Sequence, residues 1–506
     1  MSHSHLIDVV KDFKQFAPRC LVIRTKSGDI KPFSLNRAQL YVINKLDQQL
    51  KNINRVRALI LKGRQQGMST LIQARYFHKV ITRLGTKAYI LTHEAEATKN
   101  LFEMTQRYYD KLPRGLAAQA DKSSSKELYF KKYDSGYAVG TAGNKGAGRS
   151  QTIQLFHGSE VAFWPNAEDH AKGVLQAVSN EPGTEIILES TANGIGNYFH
   201  NMWKSAEANE NGYLPIFVPW YWQNEYTADD NGFRPNDEED FLLSIYGKDG
   251  LTHKHLAWRR LKIAEQSNDY DAGLESFKQE YPFNATEAFL NPVSNVFMRS
   301  KYITKARRNV VDSDSRLIIG VDVATQGKDK TAIIRRRGRL AYNLETFQNL
   351  NTMEVVGMLK RVIEAEKPHR VYIDCIGVGA GVVDRLREHN FHFVEGINTA
   401  RSANNKDKFK NLRAELWSDM RDWFEQEMSV QVPDKDELQG HLCNLGYHFD
   451  SHGRLVIESK DDLRKRGMPS PDTADALALT FYSGFYETSG ETNVTVIPKP
   501  RPGMFI

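Results

Sequence analysis

At 506 residues the chain is too long for a single small core, and the length suggests two or three domains. Its 40% hydrophobic and 26% charged content excludes a disordered or fibrous chain, and a formal charge of +6 with a pI near 8.9 is compatible with a polyanionic partner without requiring one. Cys20, Cys375 and Cys443 are too scattered for a disulfide framework or a zinc knuckle, no window approaches eighteen consecutive apolar residues, and "MSHSHLIDVVKDFKQF" lacks the profile of a signal peptide, so a soluble intracellular protein with no membrane contact is expected.

Two blocks of alternating apolar runs and helical patterns follow in chain order. The first contains "RALILKG" (57–63), "KAYILTH" (87–93), "TIQLFHG" (152–158) and "TEIILES" (184–190), with helical patterns at 69–83 and 94–111. Short apolar runs separated by helices predict a parallel sheet covered on both faces. Residues 224–295 are more polar and read as a helical subdomain closing a first domain of 1–295; 296–314 reads as a linker.

The second block, 315–487, opens at "SRLIIGVDVAT", followed by two strands joined around Gly338, a helix (352–366) and the strand "RVYIDC". Next come a helix (379–389), a strand (391–397), a long helix (411–427), a hairpin turning at His452–Gly453 and a last helix from about 472 to 485. This β-β-β-α-β-α-β-α order is that of an RNase H-like domain. Residues 488–506, rich in Pro and Gly, read as a flexible tail.

Within the first block, "LILKGRQQGMST" has the build of a phosphate-gripping loop, in which backbone N–H groups and the start of a helix cradle phosphates. In the pattern G-x-x-x-x-G-K-[ST] the last three positions fall on Gly67, Met68 and Ser69, so the usual lysine is a methionine. Lys62 stands at the opening position and Arg64 two residues on; either returns a cation to a loop spanning Gly63, Gln65, Gln66 and Thr70. Ser69 is the expected hydroxyl ligand of Mg²⁺. Glu160 ends an apolar strand and suits activation of an attacking water, with Ser159 where a metal-holding aspartate normally precedes it. A third strand ends in Ser190, Thr191 and Asn193, placed to sense a γ-phosphate. The bland alternative is a buried strand and helix joined by a loose glycine turn.

In the second block, Asp322 lies in an apolar strand, and burying a bare charge there is costly. Asp374 ends the next central strand, and Asp472 and Asp475 share one helical face. Carboxylates converging from two strands and a helix make a cage for hard divalent ions, and two such ions suit phosphodiester cleavage. Taken singly, Asp472 reads as a helix cap and Asp374 as a strand end. The basic segments "RRRGR" (335–339), "KDKFKNLR" (406–413) and "KDDLRKRG" (460–467) accompany this site and are expected to contact a nucleic-acid backbone.

These pieces in this order ("KGRQQGMSTL", "HGSEVAFWP", "ESTANG", "FVPWYWQNEY", "EAFL", "GVDVATQGKDKTA", "IDCIGVGAGVVDRL" and "ESKDDLRKRGMPSPDTADALAL") resemble the large terminase subunit of tailed bacteriophages, over roughly residues 35 to 485. The resemblance implies an N-terminal ASCE-type P-loop ATPase joined to an RNase H-like nuclease. It selects Lys62 as the displaced loop lysine, gives Arg64 a γ-phosphate-sensing role and makes Gln39 an adenine reader. It implies ATP and a two-ion Mg²⁺ or Mn²⁺ site on Asp322, Asp374, Asp472 and, as an auxiliary, Asp475. It further implies a motor that packages double-stranded DNA and cuts concatemers. The motor so implied is a homo-oligomeric ring of five on the procapsid portal protein, with a small terminase subunit, in the host bacterial cytoplasm and not in the mature virion. The competing reading is a repair or recombination ATPase fused to a resolvase-type nuclease.

Overall fold

The computed structural model describes residues 9–113, 116, 122–124, 126–142, 152–267, 269–290, 296–324, 329–426, 428–466 and 468–482. The expected tail at 488–506 lies outside them. The chain divides into two compact units, Met1–Asn193 with Asn197–Asn291, and Gly194–Gly196 with Pro292–Ile506.

The first unit begins with a small hairpin, β1 (Val22–Arg24) and β2 (Ile30–Pro32). Its main sheet has eight strands: β3 (Val56–Lys62), β4 (Lys87–Thr92), β5 (Lys122–Ser123), β6 (Glu127–Phe130), β7 (Ser135–Thr141), β8 (Leu155–Ser159), β9 (Glu185–Ser190) and β10 (Leu214–Val218). Their order is β10-β3-β9-β8-β4-β7-β6-β5; the first six run parallel, and β6 and β5 add an antiparallel edge. Every residue of β3, β8 and β9 is buried, which is why these strands read as continuous apolar runs and not as alternations. One strand, β9, stands between the loop strand β3 and the acid strand β8, the inserted-strand arrangement of an ASCE-type sheet. The helices Met68–Thr82 and Ala95–Asp110 lie within a residue of the predicted ranges. Residues 224–290 form four helices, Asp237–Tyr246, His253–Gln266, Tyr270–Glu280 and Ala285–Leu290, around the buried Trp220, Leu256 and Phe277.

The second unit carries a five-stranded sheet: β11 (Leu317–Asp322), β12 (Thr331–Arg337), β13 (Leu340–Phe347), β14 (Arg370–Asp374) and β15 (Val394–Ile397). The order β13-β12-β11-β14-β15 combines an antiparallel meander with two parallel strands, as in an RNase H-like domain. A hairpin, β16 (Tyr447–Phe449) and β17 (Leu455–Ile457), follows. The segment expected as a linker holds a helix, Ser300–Arg308, and buries Phe297, Met298 and Ile303 in the same core as Trp417 and Leu477. The last helix, Asp472–Leu479, is shorter than predicted and buried throughout. It lies so close to β11 that a Cβ on Gly320 would stand 1.9 Å from the Ala476 carbonyl oxygen, so only glycine permits the contact.

Candidate active sites

The phosphate-loop candidate leaves the end of β3 and enters the helix Met68–Thr82. Gln65 has φ +52° and Gly67 φ +75°, a left-handed pair that turns the chain into the helix. A Cβ on Gly67 would meet Gln39 Nε2 at 2.7 Å. Gln66 braces the loop: its Oε1 accepts from Gly63 N at 2.8 Å and its Nε2 donates to the Pro219 carbonyl at 2.7 Å. Met68 is buried, filling the core beneath the helix and presenting no polar group.

Lys62, at the last position of β3, reaches Glu160 Oε1 at 2.7 Å and lies 3.3 Å from Glu189 Oε2. Burial lowers its pKa, but the two carboxylates more than offset that and raise it above the ordinary lysine value. Glu160 follows β8 in a left-handed conformation, φ +52°, and its Oε2 accepts from Thr191 N at 3.2 Å and Ser190 Oγ at 3.3 Å. The strand end predicted to sense phosphate therefore holds the acid in place. Asn193 donates to the Ala162 carbonyl at 3.1 Å.

Glu189 is a residue that sequence reading overlooked. It sits in β9, fully buried, and its Oε1 accepts from Ser69 Oγ at 2.6 Å and Ser159 Oγ at 2.8 Å, with His157 Nε2 3.5 Å away. Burial pushes its pKa up, yet Lys62, His157 and Ser69 together hold it well below the usual carboxylate range. Its signal was an acid inside the run "TEIILES", in a strand buried on both faces, where alternation gives no cue.

Two other candidates flank the loop. Arg64 pairs with Glu280 at 3.4 Å, and its side chain is 58% exposed. Gln39 caps the helix Arg37–Ile53 with Asn36 and donates from Nε2 to the Gly67 carbonyl at 2.9 Å, so both ends of its amide are engaged. Thr70 lends its carbonyl to Tyr108 Oη at 3.3 Å.

In the second unit, the parallel register pairs Val321 with Ile373, so the next rung carries Asp322 and Asp374 at neighbouring strand ends. The close seat of the last helix on Gly320 brings Asp472 and Asp475 to the same place. Lys460 lies among them: its Nζ is 3.1 Å from Asp322 Oδ2, 3.2 Å from Asp472 Oδ1 and 3.6 Å from Asp475 Oδ2. Asp472 also accepts from Ser470 Oγ at 2.5 Å and Lys330 N at 2.8 Å; it does not cap the helix, whose N-cap is Pro471. Asp475 Oδ1 accepts from Arg413 at 3.0 Å and Trp417 Nε1 at 2.8 Å. Asp374 accepts from Ile376 N at 3.0 Å and Thr399 Oγ1 at 3.3 Å, and a small cleft lined by Asp374, Thr399, Arg413, Trp417 and Asp475 opens beside it.

One lysine shared by three carboxylates cannot compensate them all. Burial pushes the Asp322 pKa up to about 7 against the pull of Lys460, with Asp475, Asp472 and Asp374 adding to the rise. Burial raises Asp374 as well. Asp475, paired with Arg413 and Lys460, is lowered despite its burial, and Lys460 is raised by the aspartates despite its own.

The donors fit the groups that the loop and the acids imply. The all-oxygen set of four aspartates, short of positive charge, suits a hard divalent cation. Among the described residues no three His, Cys, Asp or Glu stand close enough to hold a metal as arranged, and the Lys460 ammonium lies within 3.2 Å of both Asp322 and Asp472. In the first unit, the open start of a fifteen-residue helix, the Ser69 hydroxyl and the buried Glu189 carboxylate, whose Oε2 has Lys62 3.3 Å away, fit a metal-bound phosphate chain.

The basic segments are mostly consumed by the fold. Arg335 pairs with Glu345 and Glu366, Arg336 donates to Thr480, Arg337 to the Ser315 carbonyl and Arg339 to the Trp423 carbonyl. Lys460 serves the acidic site, while Arg464, Lys465 and Arg466 pair with Asp329, Asp462 and Glu458. The expectation of nucleic-acid contacts at 335–339 is therefore corrected, because Arg335, Arg336 and Arg339 are buried and find their partners inside the fold; in 460–467, Arg464 and Lys465 keep exposed side chains. Lys406, Lys408 and Lys410 remain exposed.

No family model matches the chain. Solved structures similar to it include the HK97 bacteriophage large terminase, at 13% identity over 93% of this chain and 98% of that one, TM-score 0.47. The nuclease domain of the large terminase subunit gp2 of bacterial virus Sf6 is 16% identical over 37% of this chain and 97% of its own, TM-score 0.34. The large terminase nuclease from thermophilic phage G20c with bound magnesium is 18% identical over 38% and 98%, TM-score 0.30.

Proposed function

We propose that the chain is the large, catalytic subunit of a viral DNA-packaging motor: the first unit hydrolyses ATP and the second cuts DNA with divalent metal ions. The observation that carries this reading is two separate lysine–carboxylate constellations at the ends of parallel strands, one beside a phosphate loop and one within an RNase H-like sheet. In the first, the loop N–H groups and Lys62 hold the phosphates, and Glu160, fixed by Ser190 and Thr191, orients a water and accepts its proton. Mg²⁺ bound with the nucleotide supplies charge neutralisation at the β- and γ-phosphates. In the second, Asp322, Asp374 and Asp472 would hold the cations, and Asp475 keeps Arg413 in position. Divalent cations held there would supply Lewis-acid activation of water and charge stabilisation for the leaving oxygen.

The proposed partners are double-stranded DNA, a portal protein, a small terminase subunit and further copies of this chain in a ring of five, acting in the host bacterial cytoplasm. Paired assays test the reading. Glu160→Ala is expected to abolish ATP turnover and leave plasmid cutting intact, and Asp322→Ala to do the reverse. Loss of both activities in each variant would reject two independent sites.

A further inference from the structure

We propose that Glu189 is the carboxylate that holds the nucleotide's metal ion in the first unit, replacing the aspartate missing at Ser159. The assignment rests on reading that unit as an ATPase. In P-loop enzymes the loop hydroxyl and an acid at the end of another strand of the sheet bind one Mg²⁺ together. Here the acid strand β8 offers only a serine, and the carboxylate comes from β9, the strand inserted between β3 and β8.

Distances make the substitution workable. Glu189 Oε1 stands 2.6 Å from the Ser69 hydroxyl oxygen and 2.8 Å from that of Ser159. Adjacent ligands of an octahedral Mg²⁺, each about 2.05 Å from the ion, are about 2.9 Å apart, so little rearrangement is required. Ser159 would then orient the carboxylate as a neighbouring hydrogen-bond donor. Glu160 is unsuited to that role, because its Oε2 is spent on Thr191 N and Ser190 while its side chain, 25% exposed, is the one that water can reach.

A purely structural Glu189 would be a buried counter-ion for Lys62. That role explains the 3.3 Å approach of Lys62 to Oε2 but not the convergence of the loop serine and Ser159 on Oε1. Buried ion pairs are commonly replaceable by apolar groups at no loss of stability, so pairing alone is a weak reason for an acid here. When phosphates draw Lys62 away, the carboxylate is left to a cation.

The test is binding of a fluorescent ATP analogue to the full chain, in EDTA and across a Mg²⁺ titration, with Mn²⁺ binding followed by electron paramagnetic resonance. Glu189→Gln is expected to bind the analogue in EDTA as well as or better than the parent, while the Mg²⁺ needed for half its effect rises about tenfold or more. Placing the charge back on β8, in Glu189→Gln with Ser159→Asp, is expected to restore the Mg²⁺ response and the Mn²⁺ signal. An unchanged Mg²⁺ response in Glu189→Gln overturns the assignment, as does a fall in EDTA binding with no change in metal requirement. If thermal melting shows that Glu189→Gln does not fold, Glu189→Asp carries the test: a raised Mg²⁺ requirement supports the assignment and a parental one overturns it. A parent chain that binds no nucleotide under either condition sinks the ATPase reading itself, and this inference with it.

Discussion

Each candidate site sets a lysine among carboxylates, but Lys62 and Lys460 are balanced in opposite ways. The Lys62 side chain is 7% exposed and divides itself between Glu160 and Glu189. The Lys460 side chain is 34% exposed and faces Asp322, Asp472 and Asp475, with Asp374 on the adjacent strand. In the first site one lysine is shared by two acids that also take hydroxyl and backbone donors, so an incoming anion must compete for it. In the second the acids outnumber their cations, and Asp322 is driven toward its neutral form. The same residue types thus leave a buried, shared lysine in one site and an excess of carboxylates in the other.

The largest effect separating the two is expected at Lys62. Lys62→Ala should lower ATP turnover by about 10²- to 10³-fold, the usual cost of removing a preorganised charge-stabilising group. Met68→Leu, which keeps the buried volume, should change it by less than about threefold. Steady-state hydrolysis measures both, and equal losses would show that the loop cation is not Lys62. Plasmid cutting by Lys62→Ala should match the parent if the two sites are independent.

Lys460→Ala attacks the other side of the comparison. Without metal it leaves the aspartates opposed by Arg413 alone, and about 2 kcal/mol of stability should be lost. Added Mg²⁺ should recover more of the melting temperature in this variant than in the parent, because cation and lysine compete for the same carboxylates. A Mg²⁺ shift equal to the parent's would mean that Lys460 is not in the metal's place.

The pH response sharpens the difference further. Asp322 keeps its proton up to about 7 in the folded chain, against about 3.9 unfolded. Between those values the folded state binds a proton that the unfolded chain has released, so metal-free stability falls as pH rises from about 4 to about 7. Mg²⁺-dependent stabilisation should rise over the same window, since the ion needs the carboxylate. Melting curves with EDTA and with Mg²⁺ should therefore diverge with pH, and Asp322→Asn should flatten the metal-free slope.

Much of this architecture was legible because its signals are local. Helix 352–366 appears as Thr352–Glu366, begun by an Asn351–Glu354 capping box, and the turn at Gly453 has φ +74°. Asp322 and Asp374 could be placed together because adjacent parallel strands end side by side. What escaped depended on tertiary register. Glu189, buried in an apolar strand, and Lys460, inside a stretch of surface-like charge, acquire meaning only from partners at Ser69 and Asp322. The strand β10, "LPIFV", was missed because its apolar run is short and broken by Pro215, which an edge strand tolerates. The helix Ser300–Arg308 was hidden by its own composition: nine residues containing four lysines and arginines, with only Ser300, Ile303 and Ala306 buried.

The smallest effect concerns which basic residues meet DNA, and it separates arginines committed to the fold from lysines left at the surface. Arg336 is buried, lies 4.2 Å from the Phe481 ring centre and donates to the Thr480 carbonyl at 2.6 Å; burial lowers its pKa to about 9. Arg336→Met should therefore cost about 1–3 kcal/mol of stability and leave the salt dependence of DNA binding unchanged. Lys406, Lys408 and Lys410 alternate along an exposed segment whose intervening Phe409 is half-buried and bridges to Leu455. Each lysine that neutralises a phosphate adds about 0.9 to the slope of log affinity against log salt, so each Lys→Gln change should lower the slope by about that amount without moving the melting temperature. If instead Arg336→Met lowers the slope and the lysine variants do not, DNA reaches this unit by way of the meander strands, and the division between fold-bound and surface charge drawn from the hydrogen bonds is wrong.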